Sequence, residues 1–234
     1  MMQKRFIART FVAVWTAAFA ETSAFGDTYT SEGYLQDGLV AQWDGINNAG
    51  VGLHLPDSGV WKDLVGDCDL TLLAGKGWVA GRPALKVSKG TAQGATAAPA
   101  YRTIEIFYKM TSDSGRILFN SGRSKQFVLF DGNGTKGYFD GSVTTKYIAW
   151  TFDATALRSM AATYTESNVV NAVYRDGTAV NSGTLKNGWG VGDGKIMIGD
   201  RTAASDSYPW YGEVYALRLY STELTAEQIA ANHG

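Results

Sequence analysis

The chain has one cysteine, Cys68, in 234 residues. An intramolecular disulfide framework is therefore excluded, and stability must come from an ordinary apolar core. Histidine is almost as scarce: His54 reads as a loop residue and His233 as part of a frayed C-terminus. No Cys/His cluster has zinc spacing. Neither histidine has a Gly-x-Ser-x-Gly or catalytic-cysteine context elsewhere in the chain to serve. Four prolines stand against 28 glycines. No 3.6-residue apolar period appears before the last ten residues, and no repeat has solenoid or propeller length. No apolar run approaches the roughly 20 residues that cross a bilayer.

The longest such run, Phe11 to Ala20, follows Lys4, Arg5 and Arg9 and ends at Glu21. Small residues occupy the two positions read by a signal peptidase in Ala18-Phe19-Ala20, and a second cut is offered after Ala24-Phe25-Gly26. Residues 1–26 are expected to be a signal peptide, cleaved after 20 or 26, and residues 27–234 the mature domain. The expected destination is secreted, periplasmic or cell-surface, with no membrane span after cleavage. Removing residues 1–20 takes three basic residues and no acidic one, so the formal net charge moves from −1 to −4. That charge provides no footprint for nucleic acid or an anionic membrane. Cys68, in Gly66-Asp67-Cys68-Asp69-Leu70, reads as a buried small hydrophobe.

What the chain does have is short β pattern. In Thr103–Met110, Ile104, Ile106, Tyr108 and Met110 fall on one face, with Thr103, Glu105, Phe107 and Lys109 on the other. Arg116–Asn120, Gln126–Phe130, Lys136–Asp140, Arg158–Tyr164, Val169–Arg175 and Lys195–Gly199 read as further strands. Asp176-Gly177 supplies the positive φ angles of a two-residue hairpin turn. Gly90–Ala100, low in complexity, reads as a surface loop. The chain closes with a long strand pattern, Tyr211 to Tyr220, and a short helix. Thr225 and Gln228 have capping-box spacing there, and Leu224 and Ile229 staple spacing.

Order adds specificity to these pieces. Gly38-Leu-Val-Ala-Gln-Trp43-Asp44-Gly45 comes first, then Trp61-Lys-Asp63-Leu64-Val-Gly66 and Tyr174-Arg-Asp176-Gly177. Ile196-Met-Ile-Gly199 and the strand–helix tail, with Leu224-Thr-Ala-Glu-Gln-Ile229, follow. Taken together they resemble laminin-G-like (LamG) domains of the concanavalin A-like lectin/glucanase superfamily. The resemblance implies an all-β fold: a two-sheet antiparallel jelly-roll sandwich with a short C-terminal helix. It also implies an extracellular role, with carbohydrate or another surface as ligand.

The same fold houses glucanases, whose two carboxyl groups lie on one strand as Glu-x-Asp-x-Glu or a one-residue-longer variant. None of the seven mature glutamates, Glu21, Glu32, Glu105, Glu166, Glu213, Glu223 and Glu227, is followed two positions later by Asp. No catalytic residue is therefore assigned, and the protein is not expected to be an enzyme. No cofactor is indicated. Asp131-Gly-Asn133-Gly-Thr135 begins like a calcium loop but has Lys136 and Ser142 where Gly and Glu are needed, so it reads as a turn. Calcium stays open, because related domains hold it through Asp side chains and backbone carbonyls.

Sugar rings present apolar C–H faces that pack on exposed aromatic planes. Trp43, Trp61 and Trp150 sit in or beside strand patterns and read as core. Trp189, among glycines, and Tyr208 and Trp210, around Pro209, are the aromatics a loop would expose. They are the expected ligand-binding residues. The expected function is an exported, non-catalytic module binding a glycan or cell-surface ligand. A structural or adhesive surface protein is the alternative, and a glycoside hydrolase with carboxylates drawn from different strands comes third.

Overall fold

A computed structural model describes residues 33–45, 59–74, 76–112, 117–122, 125–130, 136–138, 148–149, 156–165, 170–182, 194–200 and 208–234. The predicted signal peptide, His54, the Asp131 turn, Trp150 and Trp189 lie outside them.

Two eight-stranded antiparallel sheets face each other, as the alternating apolar pattern predicts. The first runs β14 (Thr178–Ser182), β13 (Val170–Arg175), β12 (Arg158–Tyr164), β7 (Thr103–Met110), β16 (Tyr211–Tyr220), β5 (Leu85–Ser88) and β4 (Gly77–Trp78). β5 pairs only the start of β16, and β1 (Leu39–Asp44) pairs the remainder of the same side. The second runs β11 (Ile148–Ala149), β10 (Lys136–Tyr138), β9 (Lys125–Phe130), β8 (Ile117–Gly122), β15 (Lys195–Ile198), β6 (Ala92–Ala97), β3 (Leu70–Leu72) and β2 (Val60–Trp61). The arrangement is the jelly-roll sandwich. Its core lies between the sheets and includes Trp43, Trp61, Ile106, Phe119, Ile196 and Leu217. Cys68 is buried in it at 2% exposure, and burial pushes its thiol pKa up.

Two local signals appear in the backbone as read. Asp176 (φ 49°) and Gly177 (φ 74°) form the left-handed pair that turns β13 into β14. The single helix among the described residues, α1 (Ala226–His233), opens with the reciprocal capping box: Gln228 N–H donates to Thr225 Oγ1 at 3.2 Å, and Thr225 N–H donates to Gln228 Oε1 at 2.8 Å. The staple residues Leu224 and Ile229 are both buried beneath it.

Two expectations need correcting. Most of Gly90–Ala100 is not a loop, because Ala92–Ala97 is β6, an interior strand between β3 and β15. Packing is close at its centre: a Cβ on Gly94 would meet Ile196 N at 3.3 Å and Cys68 Sγ at 3.4 Å. With few apolar side chains, β6 carries little of the apolar signal by which strands are recognised. Nor does His233 fray. Its Nδ1 lies 2.9 Å from Ser159 Oγ, and its ring stacks on Phe107 with centroids 6.3 Å apart.

Candidate functional site

The outward face of the first sheet is divided in two by what lies on it. On β7, Ile104, Ile106, Tyr108 and Met110 go to the core, so Thr103, Glu105, Phe107 and Lys109 point out. Three of those four are nevertheless buried. Helix α1 and the turn at Tyr34–Leu35 cover that half. Asn232 is the clasp: its amide donates to both Glu105 oxygens at 3.1 and 3.0 Å, and its carbonyl accepts the Leu35 N–H at 2.7 Å. Beneath it Arg218, 3% exposed, pairs with Asp44 at 3.1 Å and lies 3.8 Å from Glu105. Its guanidinium also covers the Tyr34 ring at 4.1 Å.

Asp44 and Glu105 are thus two carboxylates from different strands converging on one cation, the pair to weigh against a cross-strand hydrolase. The pair is closed to substrate. Asp44 is 0% and Glu105 4% exposed by side chain. The cavity beside Glu105 holds about 10 Å³, room for a single water. Burial raises the Glu105 pKa, with Arg218 and Asn232 pulling it down by less. The group's role is to satisfy a buried polar layer under the helix.

The other half of the face is open. A groove of about 500 Å³ lies over β4, β5 and the start of β16, a volume in the range of ligand sites. Strand register sets two rows of residues there, with Lys86, Ser88, Tyr211 and Glu213 lining the groove and Lys109 beyond its β16 edge. Lys86, Glu213 and Lys109 stand opposite one another across β5, β16 and β7, and Ser88 stands opposite Tyr211 one step along. Tyr211 is half-exposed on the floor. Trp78, packed edge-on against Trp61 at 5.6 Å, lines the end, and Arg82 comes over from the turn between β4 and β5. Glu213 is held at both oxygens, by Arg82 Nη2 at 2.6 Å and by the Tyr215 hydroxyl at 2.6 Å. Burial, then the bond to Glu213, pushes the Tyr215 pKa up to about 12, so this phenol stays a donor at neutral pH. The groove therefore offers an aromatic side chain beside a fixed acid–base pair and the exposed Lys86 amine. Among the described residues no three His, Cys, Asp or Glu side chains gather as a metal site.

The structure separates the aromatics picked from sequence. Trp210 is not on an exposed loop; it is 0% exposed and packs edge-to-face on Tyr108 at 6.1 Å, inside the core. The reason is parity. Trp210, Gly212 and Val214 point inward, and Gly212 leaves the room: a Cβ there would fall 2.3 Å from the Trp210 ring. Tyr208 is half-buried ahead of the strand. Trp189 lies outside the described residues. Trp43 and Trp61, read as core, are both 0% exposed. Within this stretch it is Trp210's neighbour, Tyr211, that lines the groove, with Trp78 from β4. Alternation along Trp210–Val214 was the signal that could have found it.

Comparison with known proteins places this geometry in a family. No curated protein sequence matches the chain. Among solved structures, the fold is similar to Trypanosoma rangeli sialidase at 16% identity and TM-score 0.60, over 84% of this chain and 33% of that one. It is also similar to the botulinum neurotoxin serotype D binding domain at 12% identity and TM-score 0.59, over 84% of this chain and 51% of that one. The chain thus spans a third of the first and half of the second. A laminin-G family model matches residues 87–230, more than half of the 234, from β5 through most of α1. By that match the chain belongs to the concanavalin A-like lectin/glucanases superfamily.

Proposed function

We propose that the protein is an exported, non-catalytic module that binds carbohydrate in the groove over β4, β5 and β16. One observation carries this: Tyr211 lies half-exposed on the floor of a ligand-sized concavity, beside Ser88 and the paired Arg82 and Glu213. A pyranose packs its C–H face on such a plane while fixed donors and acceptors bond its hydroxyls. Preorganisation supports the reading, because Glu213 is held at both oxygens before any ligand arrives. The signal-peptide pattern of residues 1–26 supports export. The closed Asp44–Glu105 pair supports a non-catalytic role.

The test pairs two adjacent residues of opposite parity, assayed by retention on a panel of immobilised polysaccharides and by thermal unfolding. Tyr211→Ala is expected to weaken retention about tenfold, near 1.4 kcal/mol, with the unfolding midpoint almost unchanged. Trp210→Ala is expected to cost about 3–5 kcal/mol of stability, as a buried aromatic truncation. Retention on no polysaccharide, or retention indifferent to Tyr211→Ala, overturns the proposal.

A further inference from the structure

The charge of the groove is opposite to the charge of the chain. Its lining carries Arg82 and Lys86 against one carboxylate, Glu213, and the adjoining segments add Lys76, Lys89 and Lys109. The whole chain has a formal net charge of −1. Register sets two of these cations in one line. Lys86 and Lys109 flank Glu213 across three strands, so their backbones stand two inter-strand spacings apart, about 10 Å. Glu213 stands between them but is salt-bridged to Arg82 at 2.6 Å, so those two charges offset each other and the two lysines set the sign. Lys86 is exposed and Lys109 half-exposed. Lys76 Nζ donates to the Ser88 carbonyl, which brings a further cation to the same wall. A concave site lined by one sign of charge concentrates ligands of the other sign.

From this we infer that the ligand is an acidic glycan, with carboxylate or sulfate groups repeating along its chain. Its acid groups meet Lys86 and Lys109, and a sugar ring lies on Tyr211. Lysine side chains rising from backbones about 10 Å apart can both reach acid groups on neighbouring residues of such a polymer. The aromatic floor favours a polysaccharide over an acidic peptide, and the small number of cations, set in a groove rather than on a flat basic face, favours it over an anionic membrane. This inference rests on the carbohydrate reading above and adds the class of sugar.

Retention of the purified protein tests it on polygalacturonate, alginate and chondroitin sulfate, against neutral dextran and laminarin, with poly-glutamate as an acidic polymer that is not a glycan. At least one acidic glycan is expected to bind about tenfold tighter than either neutral one. Raising sodium chloride should weaken that binding, and Lys86→Gln with Lys109→Gln should abolish the advantage. The single Lys86→Gln variant, at an exposed position, and the salt series on the unaltered protein carry the test if the double variant does not fold. Equal or tighter binding of the neutral glycans overturns this inference and leaves the carbohydrate reading standing. Poly-glutamate binding as tight as the acidic glycans, and released by the same variants, overturns it too, since charge alone would then account for retention. Failure on every glycan overturns both.

Discussion

At the turn after Trp61 a single carboxylate organises the backbone. Asp63 Oδ1 accepts the N–H groups of Gln42, Val65 and Gly66 at 2.9, 3.1 and 3.1 Å, and Oδ2 accepts that of Cys68 at 3.2 Å. The turn must therefore come close, and a Cβ on Gly66 would meet Asp63 Oδ2 at 2.8 Å and the Val40 carbonyl at 2.9 Å. Physical chemistry thus explains the spacing of Trp61-Lys-Asp63-Leu64-Val-Gly66: one residue anchors in the core, one gathers donors and one makes room. Asp63→Ala is expected to lower stability by about 1–3 kcal/mol, because water replaces only part of a half-buried charged acceptor. Urea unfolding checks this, and a change within experimental error contradicts it.

At the scale of elements, α1 is held by polar as well as apolar contacts, and one of the polar partners, Glu105, has a raised pKa. Glu105 in the folded protein keeps its proton to higher pH than the unfolded chain, where glutamate titrates near about 4.3. Between those two values the folded state binds more protons, so stability falls as pH rises. The contribution of Glu105 is then fully present below the unfolded value and is lost as pH rises through the folded one. Glu105→Gln cannot titrate. The wild type is expected to gain stability relative to this variant as pH falls from neutral toward about 4.3, with no further gain below. Denaturation at a series of pH values reads the difference. A constant difference, or one of opposite slope, contradicts the burial argument.

Elements also differ in how far local sequence reveals them. β7, β12, the Asp176-Gly177 hairpin and the capped helix are set by alternation, turn chemistry and caps, all readable within a few residues. β6 escapes because it carries few apolar side chains, and Gly94 at its centre lies close to Cys68 and Ile196, a packing reason that local sequence does not show. The clasp escapes for a different reason. Asn232 and Glu105 are 127 residues apart and meet only when the helix is laid on the sheet. His233 likewise becomes a packed residue only through Ser159 and Phe107.

For the whole molecule, one face of one sheet has two fates. Helix α1 and the Tyr34 turn seal the half around Glu105 and Arg218, and the half around Lys86, Tyr211 and Glu213 stays open. The groove was not legible in any single stretch, because Lys86, Lys109 and Glu213 come from three strands and share a row only through register. The central claim is that this open half is where the ligand binds. Amide chemical-shift mapping of the isotopically labelled protein, titrated with whichever polysaccharide retains it, tests that claim most directly. The largest shifts are expected in residues 77–88, 109–111 and 211–215. Shifts confined to the second sheet or to residues 183–193, with the groove unchanged, would contradict it.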